Sequence, residues 1–137
     1  MDSGKIDPRM ISLNYMIVDD DAFSRNLLRT SLKQYGINNI YDATNAIQAT
    51  EMIKKHHIDV LLLDHEMPGL TGLEFARVIR EGKDGITNTN VKIVMVTNFA
   101  DKDTVIEAKK LGIQDFLVKP ISPEKLVMRL KHTLIGD

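Results

Sequence analysis

The chain has 137 residues, with 18 Lys+Arg against 19 Asp+Glu, a formal charge of −1 and no cysteine. That length holds about one domain. The composition excludes a disulfide scaffold, a Cys-ligated zinc or iron–sulfur site, thiol chemistry and any global positive field for nucleic acid or an anionic membrane. No signal-peptide pattern opens the chain and no run of eighteen uncharged apolar residues occurs, so it reads as soluble and cytoplasmic, with no membrane contact.

In chain order, residues 1–13 read as a loose N-terminal extension, and residues 14–137 as one domain. Tyr15 to Val18 is an apolar run of strand length. Phe23, Leu27, Leu28 and Leu32 then recur at helical spacing as far as Gly36. Asn39 to Ala43 alternates apolar and polar residues, which suits an edge strand. Ala46, Ile47, Ala49, Met52 and Ile53 form a second helical stripe, and Val60 to Leu63 a second continuous apolar run. Leu73, Phe75, Ala76, Val78 and Ile79 make a third stripe, followed by a polar, turn-rich loop over 81–90. Val91 to Val96 is the fourth strand, and Val105, Ile106, Ala108 and Leu111 are the fourth helix. Phe116 to Val118 is the fifth strand. Ser122-Pro123-Glu124 caps a fifth helix carrying Leu126, Val127, Leu130 and Leu134. Met10, Met16, Met52, Met67, Met95 and Met128 read as core filler.

Continuous apolar strands alternating with amphipathic helices predict an α/β fold: an open parallel (βα)5 sheet with helices on both faces. A flavodoxin-like strand order of 2-1-3-4-5 is one common solution for right-handed crossovers.

In such sheets ligands sit beyond the carboxyl ends of the strands. Here those ends carry Asp19-Asp20-Asp21, Asp64, Thr97 and Lys119-Pro120. Singly, each reads as the polar end of an apolar run or as a helix cap. Together, clustered carboxylates repel and call for a cation. A hard divalent ion such as magnesium suits oxygen ligands and shares its site with phosphoryl groups. Its two charges and the Lys119 ammonium balance Asp19, Asp20 and Asp64, leaving a neutral site that accepts a phosphoryl group.

The runs Met16-Ile17-Val18-Asp19-Asp20-Asp21, Leu61-Leu62-Leu63-Asp64-His65-Glu66-Met67-Pro68-Gly69, Val94-Met95-Val96-Thr97 and Asp115-Phe116-Leu117-Val118-Lys119-Pro120 resemble the receiver domain of two-component response regulators. The resemblance spans roughly residues 14 to 135. It implies a phosphorylation-activated switch, not a conventional enzyme, in which Asp64 accepts a phosphoryl group from a histidine kinase or a histidine phosphotransfer protein. It further implies that Asp20, Asp64 and the backbone carbonyl of Glu66 bind Mg2+ (Mn2+ as a substitute), with Asp19 holding it through water. Lys119 pairs with the acceptor and phosphoryl oxygens, Thr97 bonds the phosphoryl group, and Phe116 is the aromatic switch residue. A cis Lys119-Pro120 bond is implied, as is an output through the fourth helix, fifth strand and fifth helix. That output acts on a separate protein or on an output domain of the same polypeptide; no DNA-binding segment lies within these 137 residues.

Several positions depart from the family pattern. Asn98 follows the switch threonine where a smaller residue is usual, and Glu66 adds a carboxylate near the mouth. Both are modulatory candidates, expected to slow hydrolysis of the acyl phosphate. Thr71-Gly72 replaces Asp-Gly, a change of helix cap. His56, His57, His65 and His132 lack ligand spacing, and strand alternation turns His65 away from the acceptor. The rival readings are a haloacid-dehalogenase-type phosphatase using Asp19-Asp20-Asp21, a flavodoxin-like electron carrier, and a receiver-like interaction module that takes no phosphate. Three carboxylates would repel the phosphate of a flavin nucleotide.

Overall fold

The structure, a computed structural model, describes residues 6–136. Its strands are β1 (Tyr15–Val18), β2 (Ile40–Ala43), β3 (Val60–Asp64), β4 (Lys92–Thr97) and β5 (Asp115–Val118). Its helices are α1 (Pro8–Ile11), α2 (Ala22–Gln34), α3 (Ala46–Lys55), α4 (Gly72–Arg80), α5 (Lys102–Lys110) and α6 (Pro123–Leu134), with a 3₁₀ turn at Lys83–Gly85. The five strands form one parallel sheet in the order β2-β1-β3-β4-β5, the order expected.

Alternation along the strands divides the core into two layers. Met16, Val18, Leu61, Leu63, Ile93 and Met95 face α3, α4 and α5, where they meet Ala49, Ile53, Phe75, Ile79 and Ala108. Tyr15, Ile17, Val60, Leu62, Val94, Val96 and Leu117 face α2 and α6 and pack on Leu28, Leu32, Leu126 and Leu130. The inner strands are buried along nearly their whole length, as their continuous apolar runs require.

Three expectations need correction. Residues 6–13 are not loose. Asp7 caps α1, Met10 is fully buried, and the Tyr15 hydroxyl donates to the Met10 carbonyl at 2.7 Å. Ile6 and Leu13 close the same floor of the α2/α6 layer as Leu134 and Ile135. Residues 1–5 of the extension lie outside the described residues. Phe23, Ile47 and Met128, placed on buried stripes or in the core, are exposed by 75%, 79% and 72%. A helix lying on a sheet buries only a narrow stripe, and α2 spends its stripe on Leu28, Ser31 and Leu32. Val118 is also half exposed, because β5 is an edge strand with no neighbour beyond it.

The amino end of the sheet is braced by side chains. Arg80 Nε donates to the Leu111 carbonyl at 2.7 Å, and its Nη1 to the carbonyls of Thr89 and Val91 at 2.8 and 2.9 Å. Asn88 Nδ2 donates to the Ile58 carbonyl at 2.7 Å. The loop over 81–90, which joins α4 to β4, is thereby fastened to α4 and to the segment leading into β3.

Candidate functional site

Strand register assembles the site. Val18 lies level with Leu63, Asp64 with Val96, and Thr97 with Val118, so the carboxyl ends of β1, β3, β4 and β5 finish within about a residue of one another. The parallel ladder runs one residue further, through Asp19 N–H to the Ala43 carbonyl, His65 N–H to the Val96 carbonyl and Lys119 N–H to the Thr97 carbonyl. Each functional side chain is therefore held by backbone hydrogen bonds on its own or the adjoining residue.

Asp19, Asp64 and Thr97 are buried and Asp20 is exposed at the rim. Carboxylate oxygens of Asp19, Asp20 and Asp64 lie within 4.8 Å of one another. Lys119 Nζ sits 3.1 Å from Asp19 Oδ2 and 3.7 Å from Asp64 Oδ1. Burial pushes the Asp64 carboxyl up to about 7, with the Asp19 charge adding to the rise and Lys119 opposing it. Burial alone would lower the Lys119 ammonium, but the carboxylates of Asp19, Asp64 and Glu66 outweigh it and hold it above its ordinary range. The pocket is thus short of positive charge, and its donor set of three clustered carboxylates fits a hard divalent cation.

Neighbouring residues fix this geometry. Asp21 caps α2, its carboxylate accepting from the N–H groups of Phe23 and Ser24, while its own N–H donates to Asp19 Oδ1 at 2.9 Å. An Asp-x-Asp phosphatase would need Asp21 beside Asp19 at the reacting centre, whereas here its carboxylate serves the helix. Arg25 Nη1 reaches the Asp19 carbonyl at 2.8 Å. Glu66 N–H donates to Asp64 Oδ1 at 3.2 Å. Thr71 and Glu74 form a reciprocal capping box, so the departure at Thr71 is indeed a change of cap. His65 turns from the pocket, its Nδ1 accepting from Leu73 N–H at 3.3 Å. The Lys119-Pro120 bond is cis.

Two parts of the site escape sequence reasoning. Gly72 packs so tightly that a Cβ there would stand 2.3 Å from the Asp64 carbonyl oxygen. Its following a Thr cap gives no hint of this. Glu66 reaches Thr97 and Asn98: its Oε2 accepts from the Thr97 hydroxyl and its Oε1 from Asn98 N–H at 2.9 Å. The two-residue spacing from Asp64 points to the right side of the chain but not to these partners. Phe116 is half-buried on β5, level with Met95, against the layer that holds α5.

The family model described as the response regulator receiver domain matches residues 15–131. The chain is a receiver domain. As such it is a phosphorylation-activated switch of two-component signalling, and the phosphatase and flavin readings are set aside. The receiver is 34% identical over 125 residues to the phosphate regulon transcriptional regulatory protein PhoB of Pseudomonas aeruginosa, covering 91% of this chain and 53% of that protein. It is 29% identical to a chemotaxis protein CheY homolog of Campylobacter jejuni, covering 89% of this chain and 92% of that one. It thus spans about half of the first relative's length and nearly all of the second's. Among solved structures, CheY4 of Vibrio cholerae superimposes with a TM-score of 0.81 at 28% identity, over 89% of this chain and 98% of that chain. CheY in the CheX-CheY-BeF3-Mg+2 complex of Borrelia burgdorferi gives 0.81 at 26% identity, over 95% and 96%. Among the described residues no helix is long and apolar enough to cross a membrane.

Proposed function

We propose that Asp64 is the phosphoacceptor, that Asp19, Asp20, Asp64 and the Glu66 carbonyl hold Mg2+, and that Lys119 and Thr97 receive the phosphoryl oxygens. The observation that carries this reading is the convergence of three carboxylates within 4.8 Å of one another with one ammonium 3.1 Å from Asp19 and 3.7 Å from Asp64. The donor is a phosphohistidine on a histidine kinase or phosphotransfer protein. An Asp64 oxygen attacks phosphorus, the P–O bond forms as the P–N bond breaks, and the imidazole leaves with the electron pair. Phosphoryl transfer asks chiefly for alignment and for cations near the equatorial oxygens. Lys119 is already seated beside the acceptor, and a divalent ion bound to the carboxylates supplies the rest of that charge. The aspartyl phosphate is a mixed anhydride and hydrolyses, so the state is reversible.

The Thr97 hydroxyl, buried one strand from Phe116, links the site to the outside. A phosphoryl group shifts a two-state equilibrium only by binding one state better. The state with Thr97 drawn inward is the one favoured, and Phe116 follows it. The output face is then α5, β5 and α6, where Ile106, Val118 and Met128 are exposed. It serves a downstream protein or an output domain of the same polypeptide, and the setting is the cytoplasm. The protein is a signalling phosphoacceptor acting on itself, with no turnover of a free substrate.

The test is labelling from a phosphorylated kinase and binding of beryllium fluoride with Mg2+. Asp64→Asn is expected to abolish both. Reproducible acyl-phosphate label at another residue would overturn the assignment.

A further inference from the structure

Thr97, assigned to the phosphoryl group, and the neighbouring Asn98 N–H are already taken. Thr97 Oγ1 donates to Glu66 Oε2, and Asn98 N–H donates to Glu66 Oε1, with Asn98 Nδ2 also 3.4 Å from that oxygen. Two oxygens on one carbon thus occupy a hydroxyl and an amide that would suit two oxygens on one phosphorus. The loop that carries Glu66 is held on its other side by the bond from its own N–H to Asp64 Oδ1. The Glu66 charge also reaches Lys119, which already faces Asp19 and Asp64.

We propose that the Glu66 carboxylate is a built-in placeholder for the phosphoryl group, holding Thr97 and Asn98 in the resting protein, so that phosphorylation exchanges one anion for another. The proposal rests on the phosphoacceptor reading of Asp64 and deepens it. Electrostatics forces the exchange. Three carboxylates, those of Asp19, Asp64 and Glu66, already act on the one Lys119 ammonium, and a phosphoryl group with Glu66 still seated would meet like charge and find Thr97 and Asn98 occupied. Glu66 is at the surface, so its side chain swings out at little cost in packing.

Two consequences follow from the contact itself. The incoming anion gains less than the full value of Thr97 and Asn98, because it must displace Glu66 first. Thr97 is also held toward the site by Glu66 before any phosphoryl group arrives. A ligand that replaces another in one state shifts the balance between states by the difference of the two.

The test compares the parent with Glu66→Ala and Glu66→Gln; both variants keep the backbone carbonyl. In EDTA, amide exchange at Asn98 is expected to be about tenfold faster in Glu66→Ala than in the parent, the size of one charge-assisted hydrogen bond at an exposed site. With Mg2+ present, Glu66→Ala is expected to bind beryllium fluoride half-maximally at a concentration about tenfold lower, with Glu66→Gln between the two. Unchanged Asn98 exchange overturns the proposal, because the contact is then absent in solution. Equal or weaker beryllium fluoride binding in Glu66→Ala overturns it as well, and the phosphoacceptor reading survives if Asp64→Asn still abolishes binding in the parent. Failure of both parent and Glu66→Ala to bind with Mg2+ overturns the placeholder and the phosphoacceptor reading together.

Discussion

Replacing Gly72 by alanine asks β3 and α4 to separate. The added Cβ would stand 2.3 Å from the Asp64 carbonyl oxygen, 2.8 Å from His65 Cα and 2.9 Å from the Asp64 carbonyl carbon. Ordinary contact begins at 3.4 Å, so the two elements must part by about 1 Å, and all three obstacles are backbone. Overpacking of a tight site costs ~1–3 kcal/mol, and backbone obstacles place this one at the upper end. The bond from Gly72 N–H to the His65 carbonyl, 2.9 Å, weakens as well, at about 1 kcal/mol. The better helix propensity of alanine returns at most about 1 kcal/mol. The net expectation is a destabilisation of about 3 kcal/mol, or a midpoint lower by roughly 10 °C for a chain of this size. Urea and thermal denaturation followed by circular dichroism measure it. Beryllium fluoride binding should weaken in parallel, because the displaced carbonyl belongs to Asp64. Gly112→Ala is the matched control. Its φ of +75° strains an alanine by ~1–2 kcal/mol, while nothing lies within 4 Å of the new Cβ and the site is untouched. A Gly72→Ala protein within about 0.5 kcal/mol of the parent, with binding intact, would refute the reasoning.

Removing a carboxylate from the cluster should stabilise the metal-free fold. The folded pKa of Asp64 is raised, so ionising it costs stability as pH climbs from the unfolded value through about 7. Asp64→Asn in EDTA is therefore expected to melt higher than the parent at pH 8, with the gap closing toward pH 4; a gap that is absent at pH 8 or widens at low pH contradicts this. EDTA should halt phosphoryl transfer without unfolding the chain, which paired labelling and circular dichroism will show, and transfer at an unchanged rate would remove the metal from the scheme. Beryllium fluoride with Mg2+ should shift amide resonances over Lys102–Lys110, Asp115–Val118 and Pro123–Leu134. Changes confined to the residues around Asp64 would disprove coupling through Thr97 and Phe116.

The fold was legible because β1, β3 and β4 carry unbroken apolar runs that only a sheet covered on both faces can bury. The gathering of Asp19, Asp64, Thr97 and Lys119 was legible because the runs of β1, β3, β4 and β5 each end in one of them. Helix faces were read less well. Phe23 and Ile47 continue an apolar stripe at the right spacing, yet they lie beyond the width of sheet the helix covers, and spacing does not encode that width. The α1 segment has a single fully buried residue, Met10, and one anchor set too small to produce a period. Glu66 fell in between: its side of the chain followed from alternation, but its two acceptor contacts depend on how the loop leaves β3, which no local pattern specifies.

Arg80 has a consequence for where motion goes. One guanidinium on α4 ties together three carbonyls from two separate loops at the amino end of the sheet. The opposite end closes over the polar side chains of Asp19, Asp64, Glu66, Thr97 and Lys119. The molecule is thus anchored at one pole and adjustable at the other. On the phosphoacceptor reading proposed for Asp64, that anchor leaves the last two strands and the edge of the sheet as the side free to respond. Loosening the anchor by Arg80→Ala removes no contact of the cluster around Asp64 and is expected to blunt the response of the sheet edge to beryllium fluoride.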